Sequence, residues 1–274
     1  MDLEFYAAAG PLTGLTPAHA EMLQALELDP VGLCRVAQGL VIAPGDAAGA
    51  GPDERRMAER NTRPAGELLR RALELDDQPI DQPRAPDHRV VGTCRHFAVL
   101  ATAFLRACGV SSRARCGFAA YFVPDKLVDH WIVEHWSPDD DRWVRIDPEY
   151  VDRETPGAAQ VRDLRPGEFL TAGEAWELTR AGRQDAADFG VFGTENWGPG
   201  EIRGNAMRDL ASIVAKIETL PWDEWGPMQA SYDGRTGDDF DQLMDELATA
   251  SRTDDDEELQ RVYAQLAVPE SLVN

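Results

Sequence analysis

Gly92-Thr93-Cys94-Arg95-His96-Phe97-Ala98-Val99-Leu100-Ala101-Thr102-Ala103-Phe104-Leu105-Arg106-Ala107-Cys108-Gly109 reads as one helix with both ends marked. Thr93 suits the N-cap, and Gly109 stands where a left-handed C-terminal cap is expected. Between them Phe97, Leu100, Ala101, Phe104, Leu105 and Cys108 recur at helical spacing, which predicts a buried helix over 94–108. Cys94 falls in its first turn. There the unpaired N–H groups and the positive end of the macrodipole favour a thiolate. The same N–H groups can receive an oxyanion.

Three strand-like runs follow, 113–123, 130–136 and 142–147, the last two joined by a Ser-Pro-Asp-Asp-Asp turn. A thiolate nucleophile needs a base, and the base needs an orienting group. His130 opens one of these runs and Asp147 closes another. Side chains alternate along a strand, so His130, Ile132 and Glu134 share a face and His135 points the other way. His96 is two residues from Cys94, roughly 200° round the helix, and cannot easily face it. Spacing alone leaves both strand histidines open.

Motifs decide between them. Gly92-x-Cys94-x-x-Phe97-Ala98 with Leu105-Arg106-x-x-Gly109, then His130-Trp131-Ile132-Val133-Glu134, then Trp143-Val144-Arg145-Ile146-Asp147-Pro148, resemble three segments of the transglutaminase-like superfamily, in the right order. The tryptophan of the second segment stands one place early. The resemblance implies an α+β, papain-like core: a helix carrying Cys94 packs on an antiparallel sheet carrying His130 and Asp147. It implies Cys94 as nucleophile, His130 as general base and acid, and Asp147 as its orienting group. A thioester acyl-enzyme would form and be resolved by water or an amine. The expected substrate is an amide- or ester-containing small molecule or peptide. The animal calcium-dependent transglutaminases carry additional β-domains without a counterpart here. No D-x-[DN]-x-[DN]-G spacing occurs, so neither calcium nor any other cofactor is expected.

Outside this core the chain reads as helical. Thr16-Pro17 starts a helix that Pro30 is expected to stop, and a second follows Thr62. Residues 44–54 read as a loop, and Pro79, Pro83 and Pro86 as an extended connector. Thr171-x-x-Glu174 is a capping-box pattern. Helices are expected over 201–219, 238–250 and 255–266. The organisation is an N-terminal helical region at 1–85, the catalytic core at 86–155 and a C-terminal helical region at 156–274.

Four further residues are candidates for lining a substrate pocket: Trp131, beside the histidine, and Trp197, Arg203 and Asn205 in the glycine-rich entry to a helix. Arg203 suits a carboxylate, though a tight helix entry anchored by Trp197 explains that segment as well. The Trp-rich turn Pro221-Trp-Asp-Glu-Trp-Gly226 reads as a surface seal. Gln78 and Gln82, in the connector ahead of Cys94, are candidates for the upstream donor of an oxyanion hole. Cys34, Cys108 and Cys116 read as core thiols, with no metal-ligand spacing among them.

At 274 residues with 43% hydrophobic content, the chain can bury a substantial core. A net charge of −22 excludes a nucleic-acid-binding footprint. The acidity itself reads as surface solvation. No apolar run is long enough to span a bilayer. Met1 to Gly10 lacks the features of a secretory signal, so the expected address is the cytoplasm. The rival to an enzyme is an interaction module that keeps the scaffold. A thiol redox protein is a weaker third reading, for want of a nearby resolving cysteine.

Overall fold

The computed structural model describes residues 2–47, 51–155, 157–253 and 255–273. The predicted loop at 44–54 lies partly outside the described residues, at 48–50. The N-terminal helices are α1 (Leu3–Ala7), α2 (Pro17–Gln24), α3 (Pro30–Leu40), α4 (Glu54–Met57) and α5 (Ala65–Leu75). Thr16 caps α2, accepting from His19 N–H. Pro30 does not stop that helix, which ends at Gln24; it opens the next, behind the Asp29 cap. Proline suits the first helical position because the N–H it lacks has no acceptor there.

Two short strands, β1 (Val41–Ile42) and β2 (Val90–Val91), pair in parallel and deliver the chain to α6 (Cys94–Ala107). The main sheet is built on β3 (Ser112–Ala119), β4 (Leu127–Ser137) and β5 (Arg142–Ile146), all antiparallel. β3 stops at Ala119, short of the predicted 123, because the chain turns through Pro124 and Asp125, the latter with φ +60°. Arg106, from the Leu-Arg-x-x-Gly motif, is buried and donates to the Ser112 carbonyl, tying the end of α6 to the start of β3.

The segment after 150 is not purely helical. β6 (Phe169–Thr171) extends the sheet beyond β3, and β7 (Phe189–Gly190) runs parallel to the start of β4. Runs of three and two residues are too short for alternation to register in the sequence. Thr171 ends β6 and caps α7 (Ala172–Arg180) in a capping box with Glu174. The remaining helices are α8 (Pro199–Ala215), α9 (Pro227–Tyr232), α10 (Asp238–Thr253) and α11 (Asp256–Tyr263). α8 stops four residues before the predicted end. Lys216 turns left-handed at φ 54°, and the buried Glu218 carbonyl beyond it accepts from Arg95.

β3 has an open edge where β6 does not reach, and α8 closes it. Asp209 accepts from Cys116 N–H at 2.8 Å, and Ser212 donates to the Ala114 carbonyl at 2.8 Å. Side chains thus satisfy a strand edge that would otherwise offer unpaired groups. One apolar cluster takes in Leu33, Leu68, Phe97, Leu100, Val133, Ile202, Leu210, Leu247 and Leu266, so helices from both ends of the chain pack into the core around α6.

Candidate active site

Three independent features fix the start of α6. Thr93 caps it, and His96, at the third helical position, turns back so that its Nδ1 accepts from Thr93 N–H at 2.9 Å. Histidine here does the work usually given to Glu or Gln in a capping box. Burial, then the neighbouring Arg95, lower the His96 pKa to about 3, so the ring is the neutral acceptor this bond requires. Gly92 lets the ring approach: a Cβ there would stand 2.7 Å from that of His96. His96 is thus part of the helix start and turned away from the thiol.

Cys94, half-buried, lies beside His130, close enough for the two side chains to influence each other's charge. His130 is 3% exposed, and its Nε2 lies 3.0 Å from Asp147 Oδ2, which leaves Nδ1 for the thiol. Asp147 is fully buried. Its Oδ2 also accepts from Tyr121 Oη at 2.6 Å, and its Oδ1 from the N–H groups of Glu149 at 2.9 Å and Tyr150 at 3.2 Å. Four donors hold one carboxylate, so its orientation is set before any substrate arrives. The rings of Phe122, Tyr121 and Tyr150 surround the imidazole, with Phe122 edge-on at 4.9 Å.

The charge balance is that of a coupled pair. Burial opposes a charged His130, but the Asp147 carboxylate and the hydrogen bonds to Asp147 and Cys94 outweigh it and hold the imidazole well above its usual range. Burial pushes the Cys94 thiol up; the His130 contact pulls it down, and Asp129 and Glu149 push it up again. The net direction for Cys94 is upward. Glu149 is 7% exposed; burial, opposed by His130 and aided by Asp147, raises its pKa to about 7.

The other sequence candidates divide. Trp131 is fully buried in a small cluster with Ala98, Ala114 and Cys116, against which Cys94 packs. Asn205 donates to Asp129, the neighbour of His130, at 2.5 Å and accepts from Arg208 at 3.1 Å. Trp197 instead packs beside Gly190 and donates to the Thr194 carbonyl, with Lys126 over its ring. Arg203 turns to Ser231 and lies over the rings of Trp176 and Phe240, because α8 presents that side to its helical neighbours. Of the upstream glutamines, Gln78 is tied to Asp76 and Gln82 lines a cleft against α3. The glutamine near the triad is Gln38, on α3, which donates to the carbonyl of Glu149, two residues beyond Asp147, at 2.7 Å. His135 is only part-buried, 3.4 Å from the Trp136 carbonyl.

Sequence reading missed Tyr121, Phe122, Glu149, Tyr150 and Gln38. The aromatic pair lies in the turn after β3, where no periodicity applies. Glu149 and Tyr150 directly follow the Asp147-Pro148 motif, and that adjacency was the available signal.

A helix bearing a cysteine at its first turn packs on an antiparallel sheet that carries the histidine on β4 and presents the aspartate directly after β5, an α+β arrangement. The family model of the transglutaminase-like superfamily matches residues 73–148, which take in Cys94, His130 and Asp147, so this segment is a transglutaminase-like domain. No curated protein and no solved structure matches the chain.

Proposed function

We propose that the chain is a cysteine-dependent acyl-transfer or hydrolytic enzyme acting on an amide or ester through a thioester on Cys94. The observation that carries this reading is the Asp147–His130 contact at 3.0 Å, continued to the Cys94 thiol at a helix N-terminus. Transfer of the Cys94 proton to His130 gives the thiolate–imidazolium pair that Asp147 supports, and from it Sγ attacks the substrate carbonyl carbon. The carbonyl oxygen gains negative charge facing the Cys94 N–H, a first-turn donor without an intrahelical acceptor. The imidazolium, stabilised by Asp147, then protonates the departing amine or alkoxide as its bond to carbon breaks. Water or an amine next attacks the thioester; His130 removes its proton and returns it to the leaving sulfur. No helix among the described residues is long and apolar enough to cross a membrane.

The test is acid-quenched reaction with p-nitrophenyl acetate followed by peptide mapping. The expected result is an acetyl group on Cys94, released by hydroxylamine, and lost in His130→Ala at neutral pH. Acylation spread over other cysteines, or unchanged without His130, would sink the proposal. Iodoacetamide provides the internal control. Buried Cys34 and Cys116, both pushed far up by burial, should label only after unfolding.

A further inference from the structure

Away from the triad, a cleft of about 550 Å³ opens between the sheet and α7, and its lining inverts the sign of the molecule. The chain has 49 acidic and 27 basic residues, yet this cleft gathers Arg113, Arg115, Arg142, Arg145, Arg183 and Arg252 against Glu134, Glu174 and Glu177. Its floor is built. Glu134 accepts from Arg113 at 2.7 Å, Arg115 at 3.0 Å and Arg145 at 2.9 Å, and Asp209 takes Arg115 in a two-point contact. Alternation along β4 places Glu134 on the face of His130, with Ile132 between them, packed in a cluster with Leu164 and Phe169. The cleft and the triad are therefore separate sites on one sheet face.

The floor arginines hold the sheet together and would do so without a ligand. The mouth has no such role. Arg183 is exposed and forms no ion pair among the described residues. Arg252 reaches Glu177 at 3.2 Å, with side chains 61% and 33% exposed, and Arg142 meets Asp163 at the surface. Exposed pairs of this kind exchange partners at little cost. Trp143, Leu164, Leu170 and Leu178 give the same cleft an apolar share of its lining. The volume is that of a small-molecule site, and guanidinium groups suit planar carboxylate and tetrahedral phosphate alike.

We infer that this cleft binds a small amphipathic anion, its carboxylate or phosphate at the Arg183–Arg252 mouth and its apolar body against Leu164, Leu170 and Leu178. The test uses 1-anilinonaphthalene-8-sulfonate as a fluorescent anionic probe on the full chain, displaced by octanoate, octyl phosphate or octylamine. Displacement by the two anions and not by the amine is expected, and the stronger anion identifies the preferred head group. The R183E/R252E double variant should bind the probe about tenfold more weakly, since two like charges then face the anion. Both residues are exposed, so circular dichroism should be unchanged, and R235E, an exposed reversal elsewhere, should bind as wild type. No binding, displacement by octylamine as good as by octanoate, or equal affinity in R183E/R252E and R235E would each overturn the inference.

Discussion

Tyr121 donates its phenol to Asp147 at 2.6 Å, on the same oxygen that holds His130. The two donors share the carboxylate's charge, so the tyrosine moderates how strongly Asp147 supports the imidazolium. Removing it with Tyr121→Phe frees that charge for His130 and should move the His130-dependent limb of the pH profile for Cys94 acylation further upward. The lost hydrogen bond is worth about 1 kcal/mol, or roughly a fivefold fall in acylation rate at neutral pH. A pH–rate profile of thioester formation checks both. A profile that keeps its midpoint would mean the phenol only fills space.

Glu149 sets a second pH dependence, with a definite sign. Its pKa rises from the ordinary carboxyl range to about 7 on folding, so between roughly pH 4.5 and 7 the folded chain holds more protons than the unfolded one. Stability contributed by this group is therefore present below that window and lost as pH rises through it. Glu149→Gln should be more stable than wild type above pH 7, by up to about 3 kcal/mol, with the difference closing toward pH 4. The same substitution removes a negative charge that raises the Cys94 thiol and supports the His130 imidazolium. Alkylation of Cys94 should then shift to lower pH. Urea unfolding across pH and peptide-mapped iodoacetamide labelling measure the two effects.

How much of this was legible depends on chain distance. α6 was readable end to end because its cap, stripe and terminal glycine are local, and the strand faces followed from alternation around His130. The alternation also separated His130 from His135, although only motif resemblance chose between them. The donors to Asp147 were not readable, since Tyr121 lies 26 positions away in an aperiodic turn. Arg203 and Trp197 looked like ligand residues because an arginine and a tryptophan at a glycine-rich helix entry suit that chemistry. For Arg203 the side that α8 turns to the sheet sets its surroundings, through Asp209 and Ser212 closing the β3 edge, while Trp197, ahead of the helix, packs beside Gly190. Short strands β6 and β7 acquire their conformation from partners already in place rather than from their own pattern.

His96 carries an acid-sensitivity opposite in sign to that of Glu149. Its pKa falls from the ordinary imidazole range to about 3 on folding, so across roughly pH 3 to 6.5 the unfolded chain binds more protons. Stability contributed by this group is present above the window and lost as pH falls through it. Gln at the same position can still accept from Thr93 N–H but cannot titrate. His96→Gln should flatten the stability profile on the acid side, whereas His96→Ala should lose about 1 kcal/mol of capping at pH 7 as well as packing. Thermal unfolding from pH 4 to 8 distinguishes them. A profile for His96→Gln as steep as wild type would place the acid sensitivity elsewhere.

Glu134, the acid of the His130-Trp131-Ile132-Val133-Glu134 motif, is a structural counter-charge in this chain. It is 1% exposed and accepts from Arg113, Arg115 and Arg145, two of them equally buried. Burial opposes its charge, but the three guanidinium groups hold its pKa well below the usual carboxylate range. Glu134→Gln keeps the shape and removes the charge. Asp209 can still satisfy Arg115, so Arg113 and Arg145 bear most of the loss. Breaking a buried pair by deleting one partner costs about 3–5 kcal/mol. Urea unfolding should show a fall of that order in midpoint stability, with the m-value unchanged if two-state behaviour holds. Folded Glu134→Gln should still acylate Cys94, because Ile132 and its cluster separate the counter-charge from His130. If stability holds while acylation fails, Glu134 acts on the triad rather than on the fold.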